Sequence, residues 1–238
     1  MPSTYYDSLG FNADILLHLP FREATGTITS DVAKPHHPIL LMNAPTWTTL
    51  PSGLGTLTFD GINQYAKCLA ANSVDLDFMA GDYSAFGWFN WTDLGGNPSI
   101  VIARYEVDVS GWEIYVEEES GVYYLTLRHH HAGTLVNGHP RTGAFSVGWP
   151  PGTWFNFGIT RVGGTITMYR NGVALVTSMS LGGMVDPETC NRDVVVGTRF
   201  TVDSNWYQGP IQGVRVWGRA LSQEEFMIMY ELEKRWFP

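Results

Sequence analysis

Apolar and polar residues alternate with a period of two through most of this chain, the spacing of strands whose successive side chains face opposite sides of a sheet. Residues 84–91 (SAFGWFNW), 122–128 (VYYLTLR) and 154–160 (WFNFGIT) are β-branched or aromatic runs bounded by turn residues, and they predict core strands. Within residues 165–176 the pair Asn171-Gly172 separates two apolar runs. Both residues tolerate positive φ, so a tight hairpin is expected there. One segment breaks the alternation. Ser222-Gln223-Glu224-Glu225 reads as a capping box, followed by Phe226, Met229, Tyr230 and Trp236 at helical spacing, and it predicts a short C-terminal helix packed on the core. Many short strands broken by Gly and Pro, with no alternating helices, predict an all-β antiparallel sandwich. No repeat, low-complexity tract or linker divides the chain. The expectation is an N-terminal arm over residues 1–12 and one domain over residues 13–238.

Composition narrows the partners. The 238 residues include 14 basic and 23 acidic side chains, a net charge of -9. That balance repels a phosphate backbone and an anionic bilayer alike, so nucleic acid is excluded as the expected partner and so is membrane insertion. No stretch is long and apolar enough to span a bilayer. The first 21 residues carry no Lys or Arg, so a secretory n-region is missing. Cys68 and Cys190 lie far apart without metal-type spacing. They read as two buried thiols, with a disulfide as the alternative.

Several short motifs then fall in a recognisable order. Leu17-His18-Leu19-Pro20-Phe21 precedes a polar loop from Asp31 to Ile39. Trp47 is followed by Gly55-Thr56-Leu57-Thr58-Phe59-Asp60-Gly61, stepping into Tyr65. Phe86-Gly87-Trp88 and Met168-Tyr169-Arg170-Asn171-Gly172 come next. The chain closes on Gly209-Pro210-Ile211-Gln212-Gly213-Val214-Arg215-Val216-Trp217 and then Arg219-Ala220-Leu221-Ser222. In this order the residues resemble the laminin G-like, concanavalin A-like lectin/glucanase family. The resemblance implies a jelly-roll β-sandwich with a short C-terminal helix. It also implies a structural calcium, although Gln212-Gly213 and Asn63-Gln64 stand where the family often has acidic oxygen ligands. Fold alone does not name a function, because this one hosts lectins, hydrolases, adhesion modules and virion parts.

Glu106 and Asp108 raise the hydrolase reading, since two residues apart on a strand they would share a face. The glucanases of the resembled superfamily place Glu-x-Asp-x-Glu on one strand, and a retaining glycosidase needs two carboxylates about 5 Å apart. Here Val109, Ser110 and Gly111 follow Asp108, and Glu113 comes after a turn signal. The third acid is missing, so the expectation is a chain that is not an enzyme, with Glu106 and Asp108 on an exposed acidic face. His129 and His131 would share a strand face able to hold zinc only with a third ligand. None stands at metal spacing, so a solvated strand end is expected. His36-His37 reads as a hydrogen-bonding pair across its loop. The sequon Asn90-Trp91-Thr92 lies in an expected core strand and reads as chance.

What remains is aromatic residues on loops. Asp203, Asn205, Trp206 and Tyr207 combine stacking rings with polar groups that can pair with hydroxyls, the chemistry of a sugar site. Trp112, and Trp149 before Pro150-Pro151, are further candidates of the same kind. Tyr5 and Tyr6 in the arm are candidate anchors for a partner, a second copy of the chain included. The expected function is a non-catalytic surface-binding or structural module, on a virion or outside the cell. Its partner is expected to be a surface glycan or a virion or cell-surface protein, and a lectin-like glycan binder is the alternative.

Overall fold

The computed structural model describes residues 10–92, 95, 98–131, 140–142, 148–175, 177–179, 184–199 and 204–238. The chain opens with β1 (Ile15–Leu19), β2 (Ile28–Ser30), β3 (Pro38–Met42), β4 (Thr46–Thr49), β5 (Gly55–Asp60) and β6 (Tyr65–Cys68). Two 3-10 turns, Ala70–Asn72 and Val74–Leu76, lead to β7 (Tyr83–Phe89), β8 (Ser99–Glu106), β9 (Ser110–Glu119) and β10 (Val122–His131). Then come β11 (Pro140–Thr142), β12 (Phe155–Val162), β13 (Thr165–Arg170), β14 (Val173–Ala174), β15 (Thr177–Met179), β16 (Val194–Val196) and β17 (Gln208–Trp217). The helix α1 (Gln223–Glu233) follows, and a 3-10 turn, Lys234–Trp236, comes after it.

The strands form two antiparallel sheets. One runs β14-β13-β12-β7-β17-β5-β4, with β1 also on β17; the other runs β15-β11-β10-β9-β8-β16-β6-β3-β2. Their facing sides make the main core, where Leu57, Phe89, Ile114, Leu125, Leu127 and Phe157 meet. Asn171 and Gly172 take φ of 52° and 75°, so the predicted hairpin between β13 and β14 forms on a turn that needs two left-handed residues. β17 serves three partners: one edge pairs β7, with a register shift between Gln212 and Arg215. Its first half pairs β5 and its second half β1.

The helix is built as its sequence predicts. Ser222 Oγ accepts from the Glu225 amide and the Glu225 carboxylate accepts from the Ser222 amide, which satisfies two N-terminal amides that the helix leaves open. Phe226 and Met229 are buried against the outer side of the β7 sheet with Phe86, Trp88 and Tyr169. Gly158 makes room: a Cβ there would stand 2.7 Å from the Phe226 ring. Glu233 accepts from Trp88 Nε1 at 2.8 Å and Arg215 Nη2 at 2.7 Å, and Phe237 stacks on Trp88 at 3.9 Å. At the other end lies Phe11, expected in the arm. Phe11 is buried in this second cluster and its carbonyl accepts from Trp217 Nε1; residues 1–9, with Tyr5 and Tyr6, lie outside the described residues.

Candidate functional site

The outer side of the nine-stranded sheet is where chemistry-bearing residues gather. On β10, Leu125 and Leu127 point into the core, so Tyr124, Thr126, Arg128 and His130 share the opposite face. β9 lays Glu113, Tyr115 and Glu117 beside them through the pairs Arg128↔Glu113, Thr126↔Tyr115 and Tyr124↔Glu117. β8 adds Ala103 and Tyr105, and Val195 and Tyr65 continue the face on β16 and β6. Glu113 and Glu117 on this face of β9 are ion-paired. Glu113, wholly buried, accepts from Arg199 Nε at 2.7 Å and Nη2 at 2.8 Å, and from Arg128 Nη1 at 3.1 Å. Glu117 accepts from Thr126 and faces Arg141. Tyr115 Oη accepts from Arg128 Nη2 at 2.8 Å.

At the rim of this face stands Trp206. Its ring lies 6.2 Å from that of Tyr65, and it is half-buried, packed on the cluster of Tyr65, Ile100, Tyr105 and Val195. Asn205, half-exposed beside it, takes φ of 59° and its carbonyl accepts from the Ile100 amide. Asn tolerates this left-handed conformation better than most residues. The strand-like alternation then resumes, and Tyr207 turns into the core, fully buried, 6.4 Å from Phe59 and with its hydroxyl donating to the Pro210 carbonyl. Asp203 lies outside the described residues. Of the loop, therefore, Asn205 and Trp206 come to the surface together and Tyr207 does not.

Other predicted positions are placed elsewhere. Trp112 is on β9 and faces the core, fully buried, with its indole donating to the Leu76 carbonyl; a ring with no exposed face cannot stack on a ligand. Trp149 is likewise buried beside Phe89. Glu106 ends β8 and pairs with Arg192, whereas Asp108 sits in the turn at φ 58°. The two acids do not share a strand. The three histidines part company as well: His129 faces the core, donating from Nδ1 to the Val185 carbonyl and accepting at Nε2 from Tyr83, while His130 faces outward and His131 is exposed. Burial drops the His129 pKa to about 3. Cys68 and Cys190 are buried and unpaired, and burial raises both thiols.

The polar loop after β2 is built around a cation supplied by the chain. Asp31 accepts from the amides of His18, Ala33 and His37 and from His37 Nδ1 at 2.6 Å. The other imidazole nitrogen donates to Asp75 at 2.9 Å. Burial works against charging His37, yet the hydrogen bonds to Asp31 and Asp75 outweigh it and raise the pKa to about 9. The imidazolium thus occupies the place between two carboxylates. Asp60 uses Oδ1 to hold the amides of Ile62, Asn63 and Gln64. Among the described residues no group of three or more His, Cys, Asp or Glu is placed to hold a metal, so any calcium there would rest on backbone and amide carbonyls beside one or two carboxylates.

The laminin G profile of the concanavalin A-like lectin/glucanases superfamily matches residues 60–226. The chain belongs to that superfamily. No curated protein matches it in sequence. Among solved structures, the binding domain of botulinum neurotoxin serotype G superposes with a TM-score of 0.69 at 15% identity, covering 92% of this chain and 51% of that one. Botulinum neurotoxin type C, whose cell entry depends on interaction with two ganglioside molecules, gives 0.68 at 12% identity, covering 94% and 52%. The binding domain of Paraclostridial Mosquitocidal Protein 1 gives 0.67 at 13%, covering 92% and 52%. The chain spans about half the length of these structures, and identities so low speak to the fold: a jelly-roll sandwich.

The sequence reading missed Tyr105, Glu113, Tyr115, Arg128 and Arg199. The signal was present in Glu113-Ile114-Tyr115-Val116-Glu117, a polar-apolar alternation that marks one dressed face of a strand.

Proposed function

We propose that this chain is a non-catalytic binding module that recognises a surface glycan, outside a cell or on a virion. The observation that carries the proposal is the half-buried Trp206 propped on Tyr65 with the half-exposed Asn205 at its side. An aromatic ring face beside fixed hydrogen-bonding groups suits a sugar, whose ring is apolar on one side and hydroxylated around its edge. A hydrolase is disfavoured by the carboxylates. Glu113 is held by two guanidinium groups and Glu117 by Thr126 and Arg141, which leaves neither placed to exchange a proton with a glycosidic oxygen. Toxin binding domains put the same fold to recognition, which agrees with this use.

A second reading, a structural component docked on a virion or cell-surface protein, is favoured by Ile28 and Leu40. They are cross-strand neighbours at the sheet edge, 62% and 41% exposed. Glycan-array binding by wild type and Trp206→Ala separates the two. Binding that is lost in the variant supports the glycan reading. A silent array together with capture of a virion or surface protein would replace it by the second, and hydrolysis of laminarin or lichenan would overturn both.

A further inference from the structure

Three basic side chains converge on the ring of Tyr105. The Arg128 guanidinium lies 5.9 Å from its centroid and that of Arg199 5.7 Å, while the His130 ring stands edge-on at 6.4 Å. One carboxylate, Glu113, accepts from both arginines. Two guanidinium groups facing one carboxylate leave a positive charge over, within a chain whose net charge is -9. Farther along the same face the balance reverses, for Arg141 faces both Glu117 and Glu119. The positive excess therefore belongs to the Tyr105 end.

An independent observation marks the same place. His130 is 4% exposed, and its Nδ1 is buried with no hydrogen-bond partner among the described residues. Arg128 Nε is in the same condition. An unpaired buried polar group costs about 1–3 kcal/mol, and folded proteins keep few of them without a reason such as a missing ligand. Both orphaned atoms belong to β10 side chains two residues apart on one face. Access exists, since the side chains of Arg128 and Arg199 are 19% and 11% exposed.

We infer that this cluster binds an oxyanion, and that the ligand is an acidic glycan carrying a carboxylate or sulfate group. The inference rests on the glycan reading above and narrows it. A guanidinium fork matches the planar oxygens of such groups, so arginine suits this task better than lysine. Tyr105 and Tyr115 support it as neutral walls: burial and the nearby Glu113 raise the Tyr105 hydroxyl, and burial raises that of Tyr115, so neither adds negative charge. Tyr105 on β8 and Tyr65 on β6 are separated by β16, two strand spacings or roughly 10 Å. One oligosaccharide can reach the arginines and lie on Trp206 together.

Calorimetry on the full chain tests this with three probes: an oligosaccharide ending in glucose, the same ending in glucuronate, and a sulfated form. An oxyanion-bearing probe should bind about tenfold tighter than the neutral one, the worth of a charged hydrogen bond, and the tighter of the two names the group. Arg199→Gln should erase that preference. Glu113→Gln, which removes the competing carboxylate, should keep or increase it, whereas a general folding defect would weaken both variants. Added sodium chloride offers the same readout on wild type, weakening acidic but not neutral binding by screening. Equal binding of all three probes, indifferent to Arg199→Gln and lost in Trp206→Ala, would overturn the oxyanion inference and leave the glycan reading standing. No binding of any probe by folded protein would overturn both.

Discussion

Trp206 and Trp112 carry the same side chain and face opposite fates. Trp112 lies among Phe78 and Tyr83 with ring centroids 5.5 Å and 6.1 Å away, so Trp112→Ala should cost about 3–5 kcal/mol of stability. Trp206 gives up one aromatic contact, worth about 0.5–1.5 kcal/mol beyond the area it buries, so Trp206→Ala should cost less than Trp112→Ala while removing ligand binding. Paired urea melts check the contrast, and an unfolded Trp206→Ala would move that residue into the core. The histidines differ just as sharply. The pKa of His37 is raised to about 9, so its contribution is fully present below pH 6.5 and is lost as pH rises toward 9, about 3 kcal/mol in all. His129 works the other way. Burial holds it neutral down to about pH 3, so stability drains away as pH falls below 6.5, where the unfolded chain takes up the proton first. His18 adds to the acid loss, its pKa depressed by burial and by Arg215. Melting temperature against pH should peak near 6.5. In His37→Asn the alkaline limb between 6.5 and 9 should flatten and the acid limb remain.

At the scale of elements, α1 is the clearest case of local chemistry serving global packing. Arg219 holds Glu225 from outside the helix at 2.7 Å, and Glu225 in turn closes the capping box with Ser222. Burial disfavours the charged Glu225, yet Arg219 and the Ser222 amide outweigh it and lower its pKa. Ser222→Ala should cost about 1 kcal/mol, the usual worth of an N-cap side chain. Gly158→Ala should cost more, because the added methyl meets the Phe226 ring at 2.7 Å and overpacking of that kind costs about 1–3 kcal/mol. Comparing the two variants by denaturant melts tells whether the cap or the close approach to β12 matters more to the helix. A larger loss in Ser222→Ala would mean that Phe226 can shift without penalty.

For the whole molecule, the sandwich keeps its two outer faces for different purposes. The β7 sheet covers its outer side with α1 and the C-terminal Phe237. The nine-stranded sheet instead presents arginines, tyrosines and carboxylates, with an apolar pair at its β2 edge. Loops are braced by charges that belong to the chain: His37 lies between Asp31 and Asp75, and Arg161 on β12 reaches Asp186 and the Gly81 carbonyl ahead of β7. A ligand that binds the native state raises its melting temperature. With the carboxylates of Asp31 and Asp60 already engaged, the melt should be the same in EDTA and in millimolar calcium. A rise with calcium would reveal a bound structural ion.

Period-two alternation, the Asn171-Gly172 turn and the Ser222 capping box were legible in the sequence because each depends on a few adjacent residues and local rules of backbone and pattern. The same rules carried the order of motifs that marked the jelly roll. What they could not supply was which sheet, and which side of it, each strand would present. Trp112 was indistinguishable from Trp206 until pairing with β8 and β10 turned it inward. Glu106 and Asp108 looked like strand neighbours until a left-handed residue at Asp108 ended the strand between them. Glu113, Arg128 and Arg199 lie on β9, on β10 and just after β16, and come together only because those strands share one sheet face. Local sequence determines how the backbone runs, since its forces act within a few residues. Long-range pairing decides which distant charges meet, and that is where the candidate site was made.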